Sequence, residues 1–160
     1  MKKVVVLMLM VMLPIAMLLS GCESQDYTGN TADDSGTGDI SEMKMIVNVN
    51  GTEFKATLEN NSAAETLVSM IESNPLELDL RDYGGFEKVG ALGFSLPSSN
   101  RQITTRSGDI VLYQGNQIVM FYGSNAWSYT RLGHIDDLNG WEEALGNGDA
   151  EVVLSLEEEV

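Results

Sequence analysis

One cysteine, one histidine and nine Lys/Arg residues in 160 leave few tools for chemistry. A single cysteine allows no disulfide within the chain, so any folded part outside a reducing compartment depends on its own core. One histidine and one cysteine cannot build the usual zinc sets, and only carboxylates remain as metal ligands. Asp33-Asp34, Asp136-Asp137 and Glu157 to Glu159 lack calcium-loop spacing and read as solvated charge runs, so no metal or cofactor is expected. Nucleophilic catalysis needs a base beside Ser or Thr. His134 is the sole imidazole, and no Gly-x-Ser-x-Gly elbow occurs. A lone histidine after a strand is more often structural, and no catalytic residue is assigned. The acids number 24 and the formal net charge is -15. Nucleic-acid binding needs clustered Lys and Arg and is disfavoured.

What is present begins at the N-terminus. Lys2 and Lys3 precede an apolar run from Val4 to Leu19 that only Pro14 interrupts, then Leu19-Ser20-Gly21-Cys22. Charge, short apolar core and small residues in that order form a secretory signal. The run is shorter than the roughly 20 residues that cross a bilayer. The pattern resembles the bacterial lipobox, which implies removal of residues 1–21 and a diacylglycerol on Cys22. The expected location is the extracytoplasmic side of a bacterial membrane, with the bilayer as a partner through Cys22. Two or more acyl chains attach stably where one does so only marginally. Removing residues 1–21 deletes two lysines and no acid, leaving 24 acids against 7 Lys/Arg. Lipidation also consumes the only thiol.

Residues 22–42 carry one aromatic, Tyr27, and one branched apolar residue, Ile40, among mostly Gly, Ser, Thr, Asn and acids. So little apolar area cannot offset ordering, and the stretch reads as a tether reaching about 25 Å. Residues 43–160 are long enough for one domain. Met45 to Val49 and Thr52 to Leu58 flank Asn50-Gly51, the strongest short hairpin signal. Ser62 with Glu65 fits a capping box, and Ala64, Leu67, Val68 and Ile71 recur at helical steps until Asn74-Pro75. Leu76, Leu78 and Leu80 alternate with charged residues, the period of a half-buried strand. The glycine-rich stretch from Gly84 to Pro97 is too irregular for a phosphate cradle and reads as bending strands. The runs Asp109–Tyr113 and Gln117–Phe121 are almost continuously apolar, so each strand is expected to meet protein on both faces. Gly115-Asn116 reads as their turn. Ser128 to Gly133 and Glu151 to Leu156 read as strands, with a turn or short helix from Asn139 to Leu145. Many short antiparallel strands with one main α-helix predict a mainly β fold, a small closed barrel.

Gly108-Asp109-Ile110, continuing through Gln117 to Gly123 and on to Leu132-Gly133-His134-Ile135, resembles the small bacterial cyclophilin-like domains. Tyr113 to Gln117 and Ser124 to Leu132 are similar to the subgroup that follows a lipoprotein signal. The resemblance implies a closed barrel of about eight strands with a helix over one end. It does not carry an activity, because cyclophilins use an arginine in a Phe-His-Arg strand and here His134 is followed by Ile135.

The expected binding surface is Tyr122, Asn125, Trp127, Tyr129 and Arg131. From Asn125 onward, alternate positions share one strand face. Aromatic area, amides and one guanidinium are the usual constituents of a ligand or peptide hot spot. The sequence thus predicts a tethered, non-catalytic module for a peptide, protein or small ligand. The alternative is a prolyl isomerase or folding helper in which Arg131 supplies the cation.

Overall fold

The computed structural model describes residues 40, 43–146 and 148–157. The signal segment, Cys22, the acidic stretch apart from Ile40, and Glu158 and Glu159 lie outside the described residues. The elements run β1 (Lys44–Val49), β2 (Thr52–Leu58), α1 (Ser62–Ile71), β3 (Leu76–Tyr83), β4 (Glu87–Ala91), β5 (Arg101–Thr104), β6 (Asp109–Tyr113), β7 (Gln117–Phe121), β8 (Ala126–Ile135), α2 (Trp141–Leu145) and β9 (Ala150–Leu156). Every strand pairing is antiparallel. The order β2-β1-β9-β3-β4-β7-β6-β8 closes on itself through a β2–β8 pairing, and β5 adds a ninth strand against β8. The mainly β, eight-stranded closed barrel that the sequence predicts is present, with the ten-residue α1 as its main helix among the described residues.

Local chemistry explains each boundary. Asn50 and Gly51 both take positive φ, 49° and 90°, as a type I′ turn requires. Val47 and Val49 face the core from β1, and Phe54, Ala56 and Leu58 from β2. The cap of α1 is Asn61, not Ser62: its side chain accepts the Ala63 and Ala64 backbone N–H groups at 3.0 and 3.1 Å. Asn61 also donates to the Arg131 carbonyl at 2.9 Å, which ties the helix start to β8. The turn between β6 and β7 sits one residue earlier than Gly115-Asn116, with positive φ at Gln114 (51°) and Gly115 (77°).

One continuous core fills the barrel and includes Met45, Leu80, Ile110, Leu112, Ile118, Met120, Leu132 and Leu154. Ile40, the branched residue of the acidic stretch, is buried in that core as well. Ala63, Ala64, Leu67, Val68 and Ile71 of α1 join it from one end. At the other end stands α2, whose Trp141 packs edge-on against Phe54 at 5.0 Å and donates its indole N–H to the Phe121 carbonyl at 2.9 Å.

Closure depends on a close backbone approach. A Cβ on Gly133 would stand 2.5 Å from the Thr57 carbonyl oxygen, so only glycine lets β8 meet β2. Just before it, Leu132 is an extra residue, since Ile110 pairs with Gly133 but Val111 with Arg131. Such a bulge bends a strand. Past the bulge β8 pairs with β6 on one edge and with β2 on the other, while its first half pairs with β5.

Candidate functional site

The outer face of the barrel carries a second, smaller apolar cluster. Val111, Val119, Phe121 and Tyr129 are buried there, with Phe86, Val89, Ile103 and Tyr113 packed against them. Both faces of β6 and β7 therefore meet protein, which is why neither strand shows alternation. Tyr129 makes edge-to-face contacts with Phe121 at 5.7 Å and Tyr113 at 6.0 Å. Each such pair contributes about 0.5–1.5 kcal/mol beyond area burial.

Beside this cluster lies an open cleft of about 380 Å³. Its floor is Val89 and Val119, and Tyr113, Trp127 and Tyr129 line it from β6 and β8. Tyr83, Gln117 and Asn125 stand along its edge. Trp127 is 55% exposed and Tyr83 65%, which is unusual for large aromatic rings and favours a contact surface. Asn125 is fixed in place. Its backbone and the Thr105 hydroxyl exchange hydrogen bonds of 2.9 and 3.0 Å, and its amide donates to the Tyr129 hydroxyl at 3.0 Å.

Glu87 also lines the cleft. It is 6% exposed, and its Oε2 has no hydrogen-bond partner among the described residues. Burial alone pushes its carboxyl up from 4.5 to about 7. Tyr129 is raised above the ordinary phenol range, first by burial and then by the neighbouring Glu87 charge.

Lys88 next to it points the other way. It pairs across from Met120 of the barrel core, and its fully buried ammonium reaches Asp82 at 2.8 Å and the Gly146 and Gly148 carbonyls at 2.9 and 2.5 Å. Hydrogen bonds from Lys88 and Tyr122 hold the Asp82 carboxyl below its ordinary value. This cluster fastens the segment between α2 and β9 to the barrel end.

The five sequence-derived residues thus separate. Asn125, Trp127 and Tyr129 share the outer face and the aromatic cleft. Tyr122 lies one residue past β7, packs toward the main core and donates its hydroxyl to Asp82. Its own hydroxyl is raised to about 12, by burial first and by Asp82 second. Arg131 shares the outer face but lines a neighbouring polar cleft of about 350 Å³ with Glu59, Asn61 and Arg101. Tyr129 stands between the two clefts and lines both. Arg131 Nη1 lies 3.1 Å from Asp109 Oδ2, whose carboxylate is 1% exposed and also accepts the Arg106 backbone N–H. Residues that sequence reasoning did not single out as site residues are Glu87, Tyr83, Val89, Tyr113, Gln117 and Val119. Only the Tyr83-Gly84-Gly85-Phe86 run hinted at them, as aromatics beside a tight turn.

Among the described residues, no group of three or more His, Asp or Glu side chains is placed to hold a metal, and no helix is long and apolar enough to cross a membrane.

Comparison with known proteins agrees with this architecture. The solution structure of the hypothetical protein AF2241 from Archaeoglobus fulgidus superposes with a TM-score of 0.55 at 17% identity, covering 75% of this chain and 98% of that one. At that identity the likeness concerns the fold. No curated protein sequence matches the chain. The sequence model of the cyclophilin-like family matches residues 47–157, from the first strand past the last. The chain belongs to the cyclophilin-like family.

Proposed function

We propose that this protein is a lipid-anchored extracytoplasmic lipoprotein whose cyclophilin-like barrel is a non-catalytic binding module, with the cleft around Trp127 as its site for a peptide, protein or small ligand. The observation that carries the reading is a half-exposed tryptophan over an apolar floor, beside a buried carboxyl group whose Oε2 has no hydrogen-bond partner among the described residues. Rigid aromatics with a few polar groups are what small binding sites contain. The lipobox-like run Leu19-Ser20-Gly21-Cys22 and the acidic stretch after it support the location: a membrane-proximal module that its net charge keeps off anionic headgroups. A library of short peptides and small polar organics, screened by thermal shift, tests the binding reading. A ligand must raise the midpoint of the native chain and fail to raise that of Trp127→Ala. An equal shift in both variants removes the cleft from consideration.

The second reading, prolyl isomerisation, rests on Arg131 in its polar cleft. Asp109 holds that guanidinium, and the aromatic surface lies on the far side of Tyr129. A protease-coupled assay on a Xaa-Pro peptide should give no rate above background. Turnover lost in a folded Arg131→Ala variant would establish the isomerase instead.

A further inference from the structure

The aromatic cleft has every component of a cation site except the cation. The Glu87 side chain lines it, 6% exposed, and its buried Oε2 has no hydrogen-bond partner among the described residues. Around it stand the ring faces and edges of Tyr83, Tyr113, Trp127 and Tyr129. No Lys or Arg lines the cleft among the described residues. Lys88, next in sequence to Glu87, is committed to Asp82 and two carbonyls and Arg131 to Asp109, while Arg101, across from Tyr129, lines the neighbouring cleft and not this one. A buried carboxyl group without a counter-charge is costly, and its strong upward shift toward 7 records that cost. A neutral ligand would leave the carboxylate unpaired; an anionic one would meet both Glu87 and a chain of net charge -15.

We propose that the cleft binds an organic ammonium group, the alkylammonium of a lysine side chain or of a small free amine, with Glu87 as its ion-pair partner and Trp127 and the tyrosines as its cation–π walls. An ammonium within about 6 Å of an aromatic centroid is attracted by the ring quadrupole. Val89 and Val119 on the floor suit the methylenes attached to it. Gln117 offers a side-chain carbonyl to its N–H groups at the edge. Phosphate and carboxylate ligands have no donor of positive charge here. The inference rests on the cleft being the binding site, and it adds the chemistry of the occupant.

Butylammonium and 1-butanol, equal in chain length and different in charge, are the direct probes. Trp127 emission reports occupancy, because the other tryptophan, Trp141, is 1% exposed. The expected result is saturable butylammonium binding at least about tenfold tighter than 1-butanol, about 1.4 kcal/mol. Glu87→Gln should abolish that preference while the fold, followed by circular dichroism, persists. A tripeptide with a central lysine, both ends blocked, separates the sources. Binding tighter than butylammonium marks a peptide ligand, and equal binding marks a small amine; either supports the ammonium site. Equal affinity for amine and alcohol, or an undiminished preference in Glu87→Gln, overturns the ammonium inference and leaves an apolar cleft. Failure of all three probes to bind, with an unrelated ligand shifting stability through Trp127, overturns it in the same way. Failure of every ligand overturns the binding reading too.

Discussion

Glu87→Gln is the substitution whose effect the structure determines most closely. The carboxyl is raised from 4.5 to about 7 by burial, so the folded chain holds a proton that the unfolded chain releases between those pH values. Stability must therefore fall as pH rises through that window, and it is fully lowered above about 7. At about 1.36 kcal/mol for each tenfold change in proton affinity, the upper bound is about 3 kcal/mol. Water at the open mouth of the cleft screens part of this, and about 2 kcal/mol is expected. Glutamine has nearly the same shape and cannot ionise. Urea denaturation of both chains at pH 5 and pH 8 measures the difference. Glu87→Gln should gain about 2 kcal/mol relative to the native chain on going from pH 5 to pH 8, whatever its fixed packing cost. The Asp82 carboxyl, held low by Lys88 and Tyr122, contributes stability that is lost only as pH falls below the ordinary carboxylate range. It therefore does not confuse the comparison. An unchanged difference between pH 5 and pH 8 would refute the placement of Glu87 in a partnerless buried site.

Three further outcomes follow from the same geometry. Arg131→Ala leaves the buried Asp109 with only the exposed Arg106 guanidinium at 4.0 Å and should cost about 2 kcal/mol in urea denaturation, below the full cost of breaking a buried pair because Arg131 is partly exposed and Arg106 remains. A change under about 0.5 kcal/mol would mean that Asp109 is satisfied without it. Gly133→Ala places a methyl 2.5 Å from the Thr57 carbonyl oxygen, so β2 and β8 must separate. Amide exchange of Ala56 to Leu58 should then accelerate relative to β1, and equal protection would deny that this pair closes the barrel. For the anchor, a globomycin-sensitive mobility shift of the native chain, absent in Cys22→Ala, is expected. An unlipidated mature N-terminus would remove lipid attachment from the account.

Features set by neighbouring residues were legible in the sequence, and those set by closure were not. Asn50-Gly51 needs nothing beyond its own φ angles to turn the chain. The β6–β7 turn is different, because register outranks turn chemistry there. A turn centred on Gly115-Asn116 would have set Tyr113 across from Ile118, mixing an outward residue with a core one. The observed pairs are Leu112 with Ile118 and Tyr113 with Gln117. Keeping both leucine and isoleucine inside forces Gln114 to take a positive φ. Strand β5 has one apolar residue, Ile103, and exists only because β8 offers it an edge.

The site divides in the same way. Alternation from Asn125 to Arg131 placed four side chains on one face correctly, since an extended strand decides that locally. Tyr122 falls outside the pattern because β7 ends at Phe121 and the chain bends at Gly123, packed against Phe86. Glu87 gives no signal of its own within the glycine-rich stretch from Gly84 to Pro97, which reads only as bending strands. Its burial comes from being clamped between β3 and β7, across from Tyr83 on one side and from the distant Phe121 on the other. The same closure turns Lys88 inward, a residue that propensity alone would leave in water.

The central claim is that the outer-face cleft, rather than the barrel interior or the polar cleft of Arg131, receives the ligand. Backbone amide shifts of the isotopically labelled chain, recorded as butylammonium is added, test it most directly. The account predicts saturable changes confined to Glu87, Val89, Tyr113, Gln117, Val119 and the segment Asn125 to Tyr129. Changes centred instead on Glu59, Asn61, Arg101 and Arg131, or spread evenly over the surface, would contradict it.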